Sequence, residues 1–146
     1  MLEERFEIFT KHISRISRNI RRIKTDEVAE FNLKSPHVSC LYYLLKSGKL
    51  CSTEIAEVCD EDKAAVSRTL DYLERQGFIA CEDQGKRRYK ANYILTERGK
   101  EAASIIATKI DKVIMTAGAE LTDEERAIFY KALEKISIKL DDIANN

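Results

Sequence analysis

The sequence predicts a mainly α-helical fold with one small β-hairpin, and three observations carry that expectation. Apolar residues recur at helical spacing through most of the chain, one short central stretch switches to an extended pattern, and breakers are scarce, with one proline and five glycines. A composition of 44% hydrophobic and 34% charged residues is that of a folded chain rather than a disordered one. At 146 residues the length is about that of one ordinary domain, so a single connected architecture is expected.

The first helix follows from Leu2, Phe6, Phe9, Ile13, Ile16, Ile20 and Ile23, which step by four and three residues and form one narrow apolar stripe. Such a seam needs a partner helix. The helix is expected to fade near Glu30. Ser35 then suits an N-cap and Pro36 the first position of a second helix running to about Lys46. Its segment VSCLYYLLK is apolar enough to be buried, and Gly48 fits its left-handed end.

A short third helix, STEIAEV, opens with Ser52 as cap and buries Ile55, Ala56 and Val58. Asp60 or Asp62 caps a fourth, KAAVSRTLDYLERQG, with Val66, Leu70 and Leu73 inward and Lys63, Ala64, Ser67, Arg68 and Asp71 outward. Gly77 closes it. The segments from Phe78 to Glu82 and from Arg88 to Leu95 flank a turn at Gln84-Gly85-Lys86, giving a two-stranded hairpin with a basic tip.

Thr96 caps a fifth helix with Ala102, Ile106, Ile110, Val113 and Ala117 on one face, weakened or ended at Gly118. Thr122 and Glu125 form a capping-box pattern for the last helix, whose Phe129, Leu133, Ile136, Leu140 and Ile143 again step by four and three.

The central order of helix, short helix, tight turn, helix and hairpin is that of a winged helix-turn-helix. In such a unit the second helix of the motif enters the DNA major groove, where small, polar and cationic side chains must stand together. Lys63, Ala64, Ala65, Ser67 and Arg68 meet that demand. Arg68 suits a bidentate contact to guanine, Ser67 a base or phosphate, and Ala64 or Ala65 a thymine methyl or close backbone approach. The competing reading is a solvated amphipathic face. The hairpin tip adds Lys86, Arg87 and Arg88, placed to reach phosphates or a minor groove. Between Lys63 and Lys90 seven cations stand against four anions, although the whole chain is formally neutral. Ser35, His37, Ser52 and Thr53, near helix starts, are candidate contacts to the DNA backbone. His37 is read as packing or touching a phosphate.

The run from Ser52 to Glu101 resembles the core of the MarR family of transcriptional regulators. The resemblance is carried by Ser67, Leu70, Asp71, Leu73, Glu74 and Gly77, and by Leu95-Thr96-x-x-Gly99 after the wing. The family commonly has an Asp-x-Arg pair in the wing, whereas here Asp83 stands at a different spacing from Arg87 and Arg88. The resemblance implies a ligand-responsive regulator, typically a repressor, built as a homodimer through a long first helix and two last helices. It places an N-terminal dimerisation helix at 1–34, the DNA-binding domain at 35–98 and C-terminal dimerisation helices at 99–146.

Physics points the same way for the dimer, since a small central core cannot bury both terminal stripes. Phe6, Phe9, Ile13, Ile16, Phe129, Leu133, Ile136 and Leu140 are the expected interface; packing of the terminal helices within one chain is the alternative. The resemblance also implies a small-molecule effector, and the cationic residues Arg15, Arg18 and Arg22 on the first helix are its candidate anchors or a solvated face. Among the thiols, Cys81 and Cys51 are the candidates for oxidant sensing, while Cys40 reads as buried.

The cysteines at 40, 51, 59 and 81 contain no C-x-x-C pair and the two histidines no ligand-like spacing, so neither a zinc site nor a cofactor is expected. No phosphate-binding loop, nucleophile elbow or paired catalytic carboxylate is recognisable, so the chain is not read as an enzyme. No apolar run approaches the roughly 20 residues that cross a bilayer. The N-terminus lacks a signal-peptide layout, which together give a soluble, cytoplasmic expectation without a membrane partner. Double-stranded DNA is the expected partner, with a protein-binding winged helix as the rival reading.

Overall fold

The computed structural model describes residues 2–82 and 91–146. In chain order these form α1 (Leu2–Glu27), a 3-10 turn (Ala29–Phe31), α2 (Ser35–Ser47), β1 (Lys49–Cys51), α3 (Ser52–Cys59), α4 (Lys63–Arg75), β2 (Ile79–Cys81), β3 (Asn92–Leu95), α5 (Glu97–Ala117) and α6 (Asp123–Ala144). The mainly helical expectation holds, with one addition: the sheet has three antiparallel strands, in the order β1-β3-β2. Ile79 lies opposite Leu95 and Cys81 opposite Tyr93, while Leu50 pairs with the other side of Tyr93. The tip of the hairpin, including Lys86, Arg87 and Arg88, lies outside the described residues, as does the start of its return strand from Arg88 to Lys90.

The extra strand β1 corrects the reading of Lys49–Cys51 as a bare connection and moves the next helix start. Cys51, not Ser52, takes the N-cap position of α3 with extended backbone, and its N–H donates to Glu54 Oε1 at 3.0 Å. Ser35 likewise lies inside the first turn of α2. Lys34 takes the cap position, its N–H donating to His37 Nδ1 at 2.9 Å. The Ser35 N–H is used instead by Thr25 Oγ1 of α1, at 3.3 Å. In both helices a side chain three residues on reaches back to satisfy an N–H that no helical carbonyl can take. The first helix ends at Glu27, three residues before the expected fade, because the 3-10 turn and left-handed Asn32 (φ 57°) redirect the chain.

Asp62 is the cap of α4, accepting from the Ala65 N–H at 2.7 Å, while Asp60 adopts the left-handed conformation that ends α3. Thr122 and Glu125 exchange the two bonds of the capping box at the start of α6. The core gathers Val38, Leu41 and Leu44 of α2, Ile55 of α3, Val66, Leu70 and Leu73 of α4, Phe78, the inward strand residues and Ala102, Ala103 and Ile106 of α5. By internal contacts the chain divides into residues 1–110 and 111–146, and the division falls within α5.

The end of α4 is closed twice over. Gly77 has a φ of 80°, and the Phe78 N–H returns to Leu73 O at 2.9 Å, the bond of a Schellman ending. The next three carbonyls are met by the opening of α5. Arg98 Nη1 donates to Gln76 O at 2.6 Å, Thr96 Oγ1 to Gly77 O at 2.6 Å, and the Thr96 N–H to Phe78 O at 3.1 Å. Gly99 makes this approach possible, because a Cβ there would fall 1.8 Å from Phe78 O. Further along α5, Lys109 donates to Glu27 O at 3.3 Å and pairs with Glu30 at 2.7 Å.

Gly99→Ala is therefore expected to lower the unfolding free energy by about 3 kcal/mol, since backbone rather than a flexible side chain must move. The check is the urea midpoint at unchanged slope, and an unshifted midpoint would show that the junction has room for a methyl group.

Candidate nucleic-acid interface

The apolar period of α4 turns Val66, Leu70 and Leu73 into the core and leaves Lys63, Ala64, Ser67, Arg68 and Asp71 exposed, while Ala65 is half-buried. Thr69 joins the inward face, a buried polar residue the period alone did not single out. The outer face of α4 is bounded on each side by a cleft. One, of about 410 Å³, is lined by Ser52 and Thr53 of α3, Lys63, Ser67 and Asp71 of α4, and Tyr93 of β3. The other, of about 430 Å³, is lined by Lys34 and His37 at the start of α2 and by Arg68, Tyr72 and Arg75 of α4.

Residues separated by up to 41 positions are thus brought together around one helix. Ser52 and Thr53 come together with Lys63 and Ser67, and His37 with Arg68. Ser35 is half-buried beside Thr25 and lines neither cleft. Sequence reasoning missed Tyr72, Lys34 and Arg75. Tyr72 stacks on the His37 ring, with centroids 4.5 Å apart and planes 19° apart, and donates to Asn32 O at 2.6 Å. A tyrosine one turn after Arg68, on the more polar side of an amphipathic helix, was the available signal.

His37 is fixed by these contacts. Because Nδ1 accepts the Lys34 N–H, the neutral ring carries its proton on Nε2. Burial holds its pKa below the usual histidine value, and the neighbouring Lys34 charge lowers it further. The acidic side chains Glu57, Asp60, Glu61 and Asp62 are exposed around the α3–α4 turn, next to the exposed Lys63 and Arg68 of α4.

The thiols divide by burial. Cys40 is buried as expected and its thiol is pushed far up by desolvation; Cys59, packed against the core, is raised to about 11 for the same reason. Cys81, expected to be an exposed thiol near the wing, is instead buried on the inward face of β2 opposite Tyr93. Cys51 is half-exposed. Lys24 donates to Ser39 Oγ at 3.1 Å, and its half-buried position lowers its pKa. Arg15, Arg18 and Arg22 are exposed on α1. Among the described residues no group of three histidine, cysteine, aspartate or glutamate side chains gathers as a metal site, and no helix is long and apolar enough to cross a membrane.

A three-helix unit with a two-cleft outer helix and a pendant antiparallel sheet defines the class: a winged helix-turn-helix. Residues 31–88 match the sequence profile of the MarR family. The resemblance read from the sequence is borne out there and in the fold. The solved structure of MarR is 25% identical, covering 93% of this chain and 92% of its own, with a TM-score of 0.76. A Staphylococcus aureus MarR in complex with salicylate and kanamycin is 17% identical, covering 97% and 95%, at 0.84. An S. aureus MepR in complex with DNA is 21% identical, covering 90% and 96%, at 0.79. No curated protein sequence matches the chain.

Two outcomes follow from the site. The depressed His37 pKa makes folding favour the neutral ring, so its contribution is complete above the unfolded value of 6.5 and is lost as pH falls through the lower folded value. Stability measured from pH 7 to 5 should fall more steeply for the native chain than for His37→Gln, and coincident curves would overturn the half-buried neutral ring. Alkylation by iodoacetamide at neutral pH should leave Cys40 and Cys81 unmodified until urea unfolds the chain, and native labelling of either would contradict its burial.

Proposed function

We propose that this protein is a sequence-specific transcriptional regulator, a ligand-responsive repressor that binds a pseudo-palindromic operator as a homodimer. The observation that carries the reading is the gathering of Lys63, Ser67 and Arg68 on the exposed face of α4, with Ser52, Thr53 and His37 in the clefts on either side. A helix presented in this way fits a major groove, with the flanking groups at the height of the phosphates. Ala64 and Ala65 allow close approach, and Lys86, Arg87 and Arg88 of the wing add phosphate or minor-groove contacts. The likeness to a MepR that was solved with DNA supports this reading.

The dimer rests on apolar exposure. Phe6 is 69% exposed, and Phe9, Ile13, Ile16, Phe129, Ile136 and Leu140 are also exposed in the single chain, with Leu133 half-buried. Such stripes at helical spacing are stable in water only when covered, and a two-fold partner covers both. The reading assigns residues 1–34 and 99–146 to dimerisation and 35–98 to DNA. Two α4 helices would then address half-sites about 34 Å apart. An effector that binds one spacing of the two helices better than the other would shift the population and release DNA. The salicylate bound to the related S. aureus MarR supports a small organic anion as the effector class, with Arg15, Arg18 and Arg22 as candidate anchors.

Selection from a random duplex pool at near-physiological salt tests the reading, with an enriched inverted repeat expected. Absence of enrichment by a folded, dimeric protein would favour the protein-binding winged helix instead. Arg68→Ala should weaken operator binding by about 1–3 kcal/mol and relax base preference at one position. Arg87→Ala should weaken all duplexes alike and reduce the salt slope by about one. Unchanged binding in both variants would remove the proposed contact surface.

A further inference from the structure

The end of α4 is held by α5, and nothing in the base-contacting face requires this. Gln76, Gly77 and Phe78 present three successive carbonyls, and the opening of α5 supplies all three donors, from Arg98 Nη1, Thr96 Oγ1 and the Thr96 N–H. The Arg98 guanidinium also lies 4.4 Å over the ring of Phe78, whose side chain is fully buried in the core. Thr96 Oγ1 in turn accepts the Gly99 N–H at 3.0 Å, so the donor geometry is locked into the first turn of α5. The same helix is fastened three turns later to the end of α1 through Lys109.

Resting on the DNA-binding reading above, we propose that Arg98 is a positioning residue for operator recognition: it sets the pitch of α4 against α5 and so decides whether Arg68 and Ser67 meet base edges, while itself touching no DNA. Removing it takes away the donor to Gln76 O and the cation over Phe78, leaving the two Thr96 bonds as a looser hold, while the Schellman bond from Phe78 N–H to Leu73 O keeps the helix intact. Phosphate contacts tolerate a tilt of the helix because they depend on charge at a distance. Bidentate base contacts do not, because they depend on fixed geometry.

The test uses the full-length chain, the inverted repeat obtained by selection and an unrelated duplex of equal length. Arg98→Ala should lose about tenfold in affinity for the repeat, stay within twofold of the native chain on the unrelated duplex, and keep the native salt slope. Arg98→Lys, which retains a cationic donor to Gln76 O, should recover most of the discrimination. Simple destabilisation would lower both affinities together, and a direct phosphate contact would reduce the salt slope by about one. Either pattern, or an unchanged ratio of affinities, overturns the positioning role. Should Arg98→Ala fail to fold, Thr96→Val, which removes the donor to Gly77 O, should show the same loss of discrimination at native salt slope, and its absence would overturn the proposal. Failure of the native chain to bind any duplex would instead overturn the DNA-binding reading itself.

Discussion

The three successive carbonyls that follow α4, of Gln76, Gly77 and Phe78, are all met by donors from the opening of α5, and this junction organises the rest of the domain. Of these residues only Phe78 is buried, and its carbonyl without a partner would cost about as much as a lost hydrogen bond. The chain meets the demand by returning, after the hairpin, to the same point and starting a helix there. This return turns Leu95 and Tyr93 of β3 into the core, brings Ala102, Ala103 and Ile106 against it, and requires glycine at position 99. Phe78, at the centre of the junction, is packed by the core on one side and covered by the Arg98 guanidinium.

With α4 fixed at this end, its other end is free to serve as a surface. The Asp62 cap closes the N-terminal turn without help from another element, so Lys63, Ala64, Ser67 and Arg68 stay exposed. The neighbouring elements approach only at the flanks, where the first turns of α2 and α3 border the two clefts. The stacked pair of His37 and Tyr72 closes the space between α2 and α4 and holds the imidazole in one tautomer. Packing and presentation are therefore complementary: the residues that make the helix rigid lie on the face opposite those proposed to read DNA.

The charge distribution follows the same division. The chain is formally neutral, and the acidic turn before α4 stands beside its cationic flanks.

Local rules in the sequence settled much of this fold. Periods of four and three residues located α1, α4, α5 and α6, cap residues and apolar density located α2 and α3, the Thr122–Glu125 box and Thr96 marked helix starts, and Val66, Leu70 and Leu73 were legible as the inward face of α4. Those features are decided by residues within a turn or two of each other. What the sequence could not supply depended on partners far along the chain. The strand Lys49–Cys51 exists only because Asn92–Ile94 pairs with it, which moves the start of α3 by one residue, while the start of α2 is moved by the bond from the Ser35 N–H to Thr25 of α1. Cys81 is buried because β2 faces the core, and its neighbours in sequence carry no sign of which face that is. The cleft of Lys34, His37, Tyr72 and Arg75, and the hold of Arg98 on Gln76, join residues from different elements. Periodicity determines which face of an element is apolar, whereas only tertiary packing determines what each end of that element meets, because the donors and acceptors left over at helix ends are satisfied across space rather than along the chain.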